Sequence, residues 1–361
     1  MSLDRLVVKE IYFPVLNWDL IERWADEIPV FSENDPTHPE WKSTPVIPLD
    51  LSSESYGLVY IKNEADLKSN PTGTFKDRMA WEITALHRDY ARGLMLKKKY
   101  IDGNVEEQSV PRITLITNGN AGTSLAYFFK KYGLPPPKLL VSRDISKENL
   151  ESLKGLYTDI YMADLEEKSL TPEEIKRLTN NENGLDITST FILQPELIFY
   201  DWHVHETFNE SPDEIYVPYG SGRLMENYLA WQERTMRNDA GNKDPRLKIP
   251  VGKVVSMDIL GAIPEEKDSS ANLLTPAYNP FNIFDDNDLS ALINLSWTGK
   301  NTGIYKVREE RIREAYSIMN RNGIPTSPSG AISLGLYLQR YEEAKIDPTK
   351  KSLVVNTGQG I

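Results

Sequence analysis

Ser69-Asn70-Pro71-Thr72-Gly73-Thr74-Phe75-Lys76-Asp77-Arg78 is a turn rich in Asn, Pro and Gly that delivers a lysine. An unprotonated lysine amine is a nucleophile toward carbonyl carbon and a base toward an acidic C–H bond, so Lys76 is the candidate catalytic residue. Leu58-Val59-Tyr60-Ile61 before it is a β-branched and aromatic run that suits a buried strand. Met79-Ala80-Trp81-Glu82-Ile83-Thr84-Ala85-Leu86 after it has helical apolar spacing. Lys76 is therefore expected beside a helix start, where free backbone N–H groups attract an anion. Taken alone, the string equally suits a surface lysine between Asp77 and Arg78 in an ordinary first turn.

Four further segments have the composition of ligand-binding turns. Thr117-Asn118-Gly119-Asn120-Ala121-Gly122 lies between a strand and a helix, and by itself also reads as an Asn-Gly turn capping that helix. Val217-Pro218-Tyr219-Gly220-Ser221-Gly222-Arg223-Leu224 ends a strand and opens a helix, so small residues can bring backbone N–H groups close to a phosphate. A tight turn without a ligand has the same pattern. Pro328-Ser329-Gly330-Ala331 starts a helix, and Thr357-Gly358-Gln359-Gly360 follows the last strand, where it also reads as a flexible glycine tail.

The elements that must position these segments alternate in type. Strands are expected at Ile113–Ile116, Lys138–Val141, Thr158–Met162, Glu214–Pro218, Lys253–Met257 and Leu353–Val355, with helices at Ala121–Lys131, Lys147–Leu153 and Glu309–Arg321. Another helix starts at Thr171-Pro172, with Thr171 as N-cap. Such alternation implies parallel sheets covered by helices, an α/β fold. A helix is also expected around Leu16–Ala25, and a polar, acidic excursion over 264–303.

Composition narrows the function. The 361 residues are 40% hydrophobic and 26% charged, as in globular proteins, and can bury a sizeable core. A net charge of −12 argues against a nucleic-acid surface. With no cysteine there is no disulfide, no thiolate catalysis and no cysteine-ligated metal. No apolar run reaches membrane-spanning length, and Asp4, Arg5, Lys9 and Glu10 interrupt any signal-peptide core, so a cytoplasmic protein is expected. His203 and His205 would share a face on a strand, but no third ligand is evident and no metal site is expected; surface or substrate-facing histidines are the plainer reading.

Together these five segments, in this order, resemble the fold-type II pyridoxal-phosphate (PLP) enzymes, and the NPTG-x-FKDR form is most similar to threonine synthases. Thr44-Pro45-Val46 matches the TPL-like segment that precedes the lysine strand there. The resemblance implies two α/β domains with mainly parallel sheets and the active site between them: 1–81 with 191–361 as the larger, and 82–190 as the smaller. It implies PLP attached to Lys76 as an imine, Asn120 at the ring hydroxyl, Gly220, Ser221, Gly222 and Arg223 around the phosphate, and Thr357 at the pyridine nitrogen. Thr117, Asn118, Gly119 and Ala121 would contact substrate. Arg223 departs from the small residues usual there; it pairs with the phosphate, contacts substrate or points to solvent. The implied chemistry is β- or γ-elimination or replacement on an amino acid, with the freed lysine moving the α-proton. The alternatives are a cysteine synthase-like enzyme, an amino-acid dehydratase, or a non-catalytic relative. A homodimer is compatible with the resemblance. Thr190–Phe199 and Asp201–His205 do not match the substrate segment of threonine synthases, which counts against O-phosphohomoserine.

Overall fold

The computed structural model describes residues 4–12, 43–52, 56–101, 110–117, 119–165, 170–188, 200–220, 222–239, 257–266, 268–271 and 299–360. Their strands form two sheets. The first has the order β1-β6-β5-β4-β7, from Leu6–Lys9 (β1), Ile113–Ile116 (β4), Lys138–Ser142 (β5), Asp159–Ala163 (β6) and Leu185–Asp186 (β7). All its pairs are parallel except β1 with β6. The second has the order β10-β9-β8-β11-β3-β2, from Val46–Asp50 (β2), Leu58–Asn63 (β3), Glu214–Pro218 (β8), Asp258–Pro264 (β9), Gly303–Val307 (β10) and Ser352–Asn356 (β11). Only β2 runs antiparallel, against β3.

The described helices are Lys76–Tyr100 (α1), Asn120–Lys131 (α2), Lys147–Lys154 (α3), Pro172–Leu178 (α4), Asp201–Asn209 (α5), Arg223–Asp239 (α6), Glu309–Arg321 (α7) and Pro328–Glu342 (α8). Their starts follow from local chemistry. Thr171 and Glu174 close a capping box ahead of α4, with Pro172 at the first position. Ser327 accepts the Gly330 N–H ahead of α8.

Strand residues alternate between two cores, the period of two expected of a sheet covered on both faces. In β8, Ile215 and Val217 enter one core and Tyr216 the other; in β11, Leu353 and Val355 face one way and Val354 the other. The first core runs on from the larger sheet to Leu139, Val141 and Ile160 of the smaller one, bridged by Trp81 of α1 and Phe129 of α2. The second core lies under α7 and α8, whose Ile312, Ala315, Ile318, Ile332 and Leu336 recur at helical spacing.

The fold class is α/β with mostly parallel sheets, as expected. Some boundaries differ. The strand expected at Lys253–Met257 is instead Asp258–Pro264; Met257 precedes it and residues 253–256 lie outside the described part. The mostly apolar Asp258–Pro264 run carries the buried strand because β8 lies in parallel register beside it. Strand β1 has no counterpart among the expected elements; it pairs at the edge of the first sheet. The helix at Leu16–Ala25 and residues 272–298 of the excursion lie outside the described residues.

Candidate active site

Strands β8, β11 and β3 are adjacent and parallel, so the chain leaves Pro218, Asn356 and Asn63 along one edge of the sheet. The carboxyl edge of parallel strands is where an open α/β sheet offers a ligand site. The segments that follow these strands are the ones carrying Gly220 to Arg223, Thr357, and the turn to Lys76.

Two of them are directly joined. The Phe75 N–H donates to the Thr357 carbonyl at 3.1 Å, and the Thr74 hydroxyl donates to the same oxygen at 3.1 Å. The Gln359 N–H donates back to Gly73 O at 3.1 Å, around an antiparallel bridge of Thr74 with Gly358. Gly358 is at φ +137°, and a Cβ there would lie 2.6 Å from Gly73 O. Only glycine allows this approach. On the other side Ser327, the cap of α8, donates its N–H to Gly358 O at 2.9 Å. The Thr357-Gly358-Gln359 stretch is therefore part of the lysine turn, not a loose tail.

Lys76 is the first residue of α1 and is half-buried. Its amine donates to the Tyr200 hydroxyl at 3.1 Å and lies 4.6 Å from the centre of the Phe75 ring. Those two rings lean on each other with centres 5.0 Å apart. Arg223 opens α6 directly after Gly222, which takes φ +81°, a conformation glycine adopts without strain. Arg223 does not point to solvent: it is 7% exposed. Its Nη1 donates to Glu226 at 2.6 Å, while the buried Nε and Nη2 have no partner among the described residues. Burial pulls its pKa down, countered by Glu226 and by the Tyr200 phenol. Lys76 is thus held by Tyr200, and Arg223 opens α6 with two donors unpartnered among the described residues. Ser221 lies outside the described residues, and Gly220 closes the described part of the turn before it.

The Thr117 loop is held locally: the Thr117 hydroxyl oxygen accepts the N–H groups of Gly119 and Gly122 at 3.1 and 3.3 Å. Asn120 is the first residue of α2, with Ala121 next, both half-buried; Asn118 lies outside the described residues. A clasp ties this helix to the lysine turn. The Thr72 hydroxyl meets Ser124 of α2 at 3.0 Å and donates to the Asp77 carboxylate at 2.6 Å, and Thr72 N–H donates to Asp77 as well. Burial pushes the Asp77 carboxyl up to about 6, against the hydrogen bonds from Thr72 and Ser124.

Behind Lys76 lies a buried ionic network that the sequence does not announce. Arg78 donates from Nε and Nη2 to Glu64 at 2.8 and 2.9 Å, and from Nη1 and Nη2 to Glu206 at 3.0 and 2.9 Å. Lys62 meets Glu206 at 2.6 Å, and the Thr44 hydroxyl donates to Glu64 at 2.7 Å. Burial would raise both carboxyls, but Arg78 and the other cations hold Glu64 well below the usual carboxylate range and Glu206 below it too.

The two histidines sit on helix α5, not on a strand. Since i and i+2 diverge on a helix, His203 and His205 face different ways. His203 is buried, with Nδ1 2.7 Å from Glu64 and Nε2 2.8 Å from the Tyr228 hydroxyl, so it is neither at the surface nor free for a ligand. Burial depresses its pKa, only partly offset by Glu64. Tyr200, His203 and Glu206 recur at helical spacing and clamp α5 onto the start of α1. That i, i+3, i+6 spacing is the signal that could have revealed them.

These groups fit a phosphorylated aldehyde cofactor. Among the described residues, an amine without a carboxylate partner suits an imine, and a buried guanidinium with two unpartnered nitrogens at a helix start suits a phosphate. The Thr357 carbonyl is committed to Thr74 and Phe75, which fixes this residue beside the lysine turn.

Comparison with known proteins agrees. A family model described as pyridoxal-phosphate dependent enzyme matches residues 38–358. No curated protein matches the sequence. Among solved structures, O-ureido-L-serine synthase superposes with a TM-score of 0.58 at 14% identity, covering 91% of this chain and 92% of that one. The processed form of threonine deaminase isoform 2 from Solanum lycopersicum gives 0.57 at 13%, covering 99% and 96%. Maize serine racemase gives 0.55 at 17%, covering 96% of each chain. At these identities the likeness is one of fold. The chain belongs to the pyridoxal-phosphate dependent enzyme family, with the fold-type II architecture and pyridoxal 5'-phosphate as its cofactor.

Proposed function

We propose that the protein is a lyase or synthase of the threonine synthase-like kind, acting on a small amino acid by β- or γ-elimination or replacement. The observation that carries this reading is the pair of Lys76 and Arg223: an amine for the cofactor's aldehyde, and a guanidinium with donors open among the described residues for its phosphate. When bound, the cofactor supplies an electron sink for the substrate's α-carbon.

This chain's own residues supply the rest. Lys76 takes the α-proton, its amine having no carboxylate partner among the described residues. Arg223 and the α6 N-terminus bind and orient the phosphate. The clasp of Thr72, Asp77 and Ser124 keeps the Asn120 helix in register with Lys76. A hydroxyl from Thr357 at the ring nitrogen, in place of a carboxylate, does not hold that nitrogen protonated, which favours loss of a β- or γ-substituent over transamination. In this reading 1–81 with 191–361 form the larger unit and 82–190 the smaller, except that Leu6–Lys9 pairs in the sheet of the smaller one, and the protein works in the cytoplasm. Among the described residues, no helix is long and apolar enough to cross a membrane.

The test has two stages. Wild-type protein given PLP should show an absorbance band near the visible edge that borohydride shifts and that Lys76→Ala abolishes. Serine, homoserine and their O-acetyl and O-phospho forms are then screened for keto acid and for product mass. A protein that holds the cofactor but turns over none of them is the non-catalytic relative. Because some solved structures of this fold are serine racemases, chiral analysis of recovered serine distinguishes inversion from elimination.

A further inference from the structure

We infer that Tyr200 is the acid that protonates the leaving group, acting in relay with Lys76; this rests on the function proposed above. Tyr200 is 2% exposed and stands at the start of α5. Its oxygen accepts from the Lys76 amine at 3.1 Å, and among the described residues nothing accepts its own proton. A buried phenol normally finds an acceptor, and with none among the described residues its proton is left for a bound group. Its position is fixed by Phe75 at 5.0 Å and by the helix below, where His203 and Glu206 are held by Glu64 and Arg78. Among the described residues, the charged group hydrogen-bonded to it is the Lys76 amine.

The relay balances for a β-elimination. Lys76 takes the proton from the α-carbon and becomes an ammonium. The electron pair of that C–H bond becomes the new carbon–carbon double bond as the β-substituent X departs with the C–X pair. The phenol gives its proton to X, and the ammonium returns one proton to the phenol oxygen. The C–H and C–X bonds break, H–X forms, and lysine and tyrosine end as they began. Such an acid matters most when X is a poor leaving group, such as hydroxide.

The experiment compares wild type with Tyr200→Phe, which keeps the ring and loses only the hydroxyl. Turnover of serine should fall at least about 100-fold more than turnover of O-acetylserine or O-phosphoserine, which leave without help. Equal falls on all three, or no fall on serine, overturn the relay, as does a wild type active only on the homoserine series. A second readout needs no activity. In the cofactor-free protein, formaldehyde and borohydride should label Lys76 about tenfold faster in Tyr200→Phe, because the hydrogen bond restraining the amine is gone. Unchanged labelling, read by mass spectrometry, denies that Tyr200 controls this amine. A wild type that binds no PLP overturns the proposed function instead, and the labelling still decides the role of Tyr200.

Discussion

Two arginines, each in the first turn of a helix, are treated in opposite ways. Arg78 of α1 spends its guanidinium on Glu64 and Glu206, with Thr44 as a further acceptor. Arg223 of α6 is nearly as buried, yet it has one carboxylate and two nitrogens with no acceptor among the described residues. Burying a charge is costly unless it is paired and hydrogen-bonded. Around Arg78 the fold removes that cost; around Arg223 it leaves the cost standing. The first network is architecture, and the second is the place where the proposed function puts the cofactor's phosphate.

Replacing each arginine should therefore give opposite results, and the largest effect is expected at Arg78. Arg78→Met removes the guanidinium that joins Glu64 and Glu206 inside the protein, leaving Lys62 on Glu206 and the neutral donors Asn70, His203 and Thr44 around the two carboxylates. The expected loss is about 3–5 kcal/mol in urea unfolding, with the loss of native structure as its extreme. A variant as stable as wild type would mean the network is not what holds α5 to α1.

Next come two groups on α1 whose titrations oppose each other. Burial brings His87, stacked on Phe129 at 5.6 Å, down to about 4. As pH falls from 6.5 toward 4 the unfolded chain takes a proton that the native state refuses, so stability drops by about 3 kcal/mol. Asp77, raised to about 6, does the reverse. The native state takes its proton first as pH falls from 6 toward 3.8, adding about 3 kcal/mol. In wild type the two slopes offset each other over that window. The difference in unfolding free energy between His87→Gln and wild type should be constant above pH 6.5 and move in the variant's favour below it. For Asp77→Asn the difference should move against the variant below pH 6.

The smallest stability effects belong to the site itself. Arg223→Met should leave unfolding within about 1 kcal/mol of wild type, since two unsatisfied nitrogens go with it and Glu226 can take a proton. Cofactor affinity should nevertheless fall about 10- to 100-fold, the scale of one lost charge-assisted pair, read by titrating the absorbance band. Lys76→Ala should change stability by no more than about 0.5 kcal/mol while preventing covalent attachment, checked by borohydride trapping. A large loss of stability from either would move that residue into the architectural class.

The sequence was a good guide where one short string contains both the chemistry and its placement. Lys76 follows a strand and begins a helix in the sequence as in the structure, and the turn before Arg223 and the start of α8 at Pro328 are equally local. It was a poor guide where meaning depends on partners far along the chain. Glu64, Arg78 and Glu206 look like ordinary charges until β3, α1 and α5 meet. The two histidines, two apart, suggested a strand face, whereas the informative spacing was that of Tyr200, His203 and Glu206. The strand at Asp258–Pro264 was displaced in the reading because Val254-Val255 advertises β structure more loudly than Gly261 and Ala262 do.

The carbonyl of Thr357 accepts from Thr74 across 283 positions of the chain. A contact so remote in sequence closes only after the intervening strands have found their neighbours, because the entropy of that loop must be overcome first. The lysine turn is thus expected to take its shape only once β11 has paired with β3. Capture of the vitamin B6 aldehyde is then expected to follow the pairing of these strands, which refolding followed by the cofactor's absorbance would check.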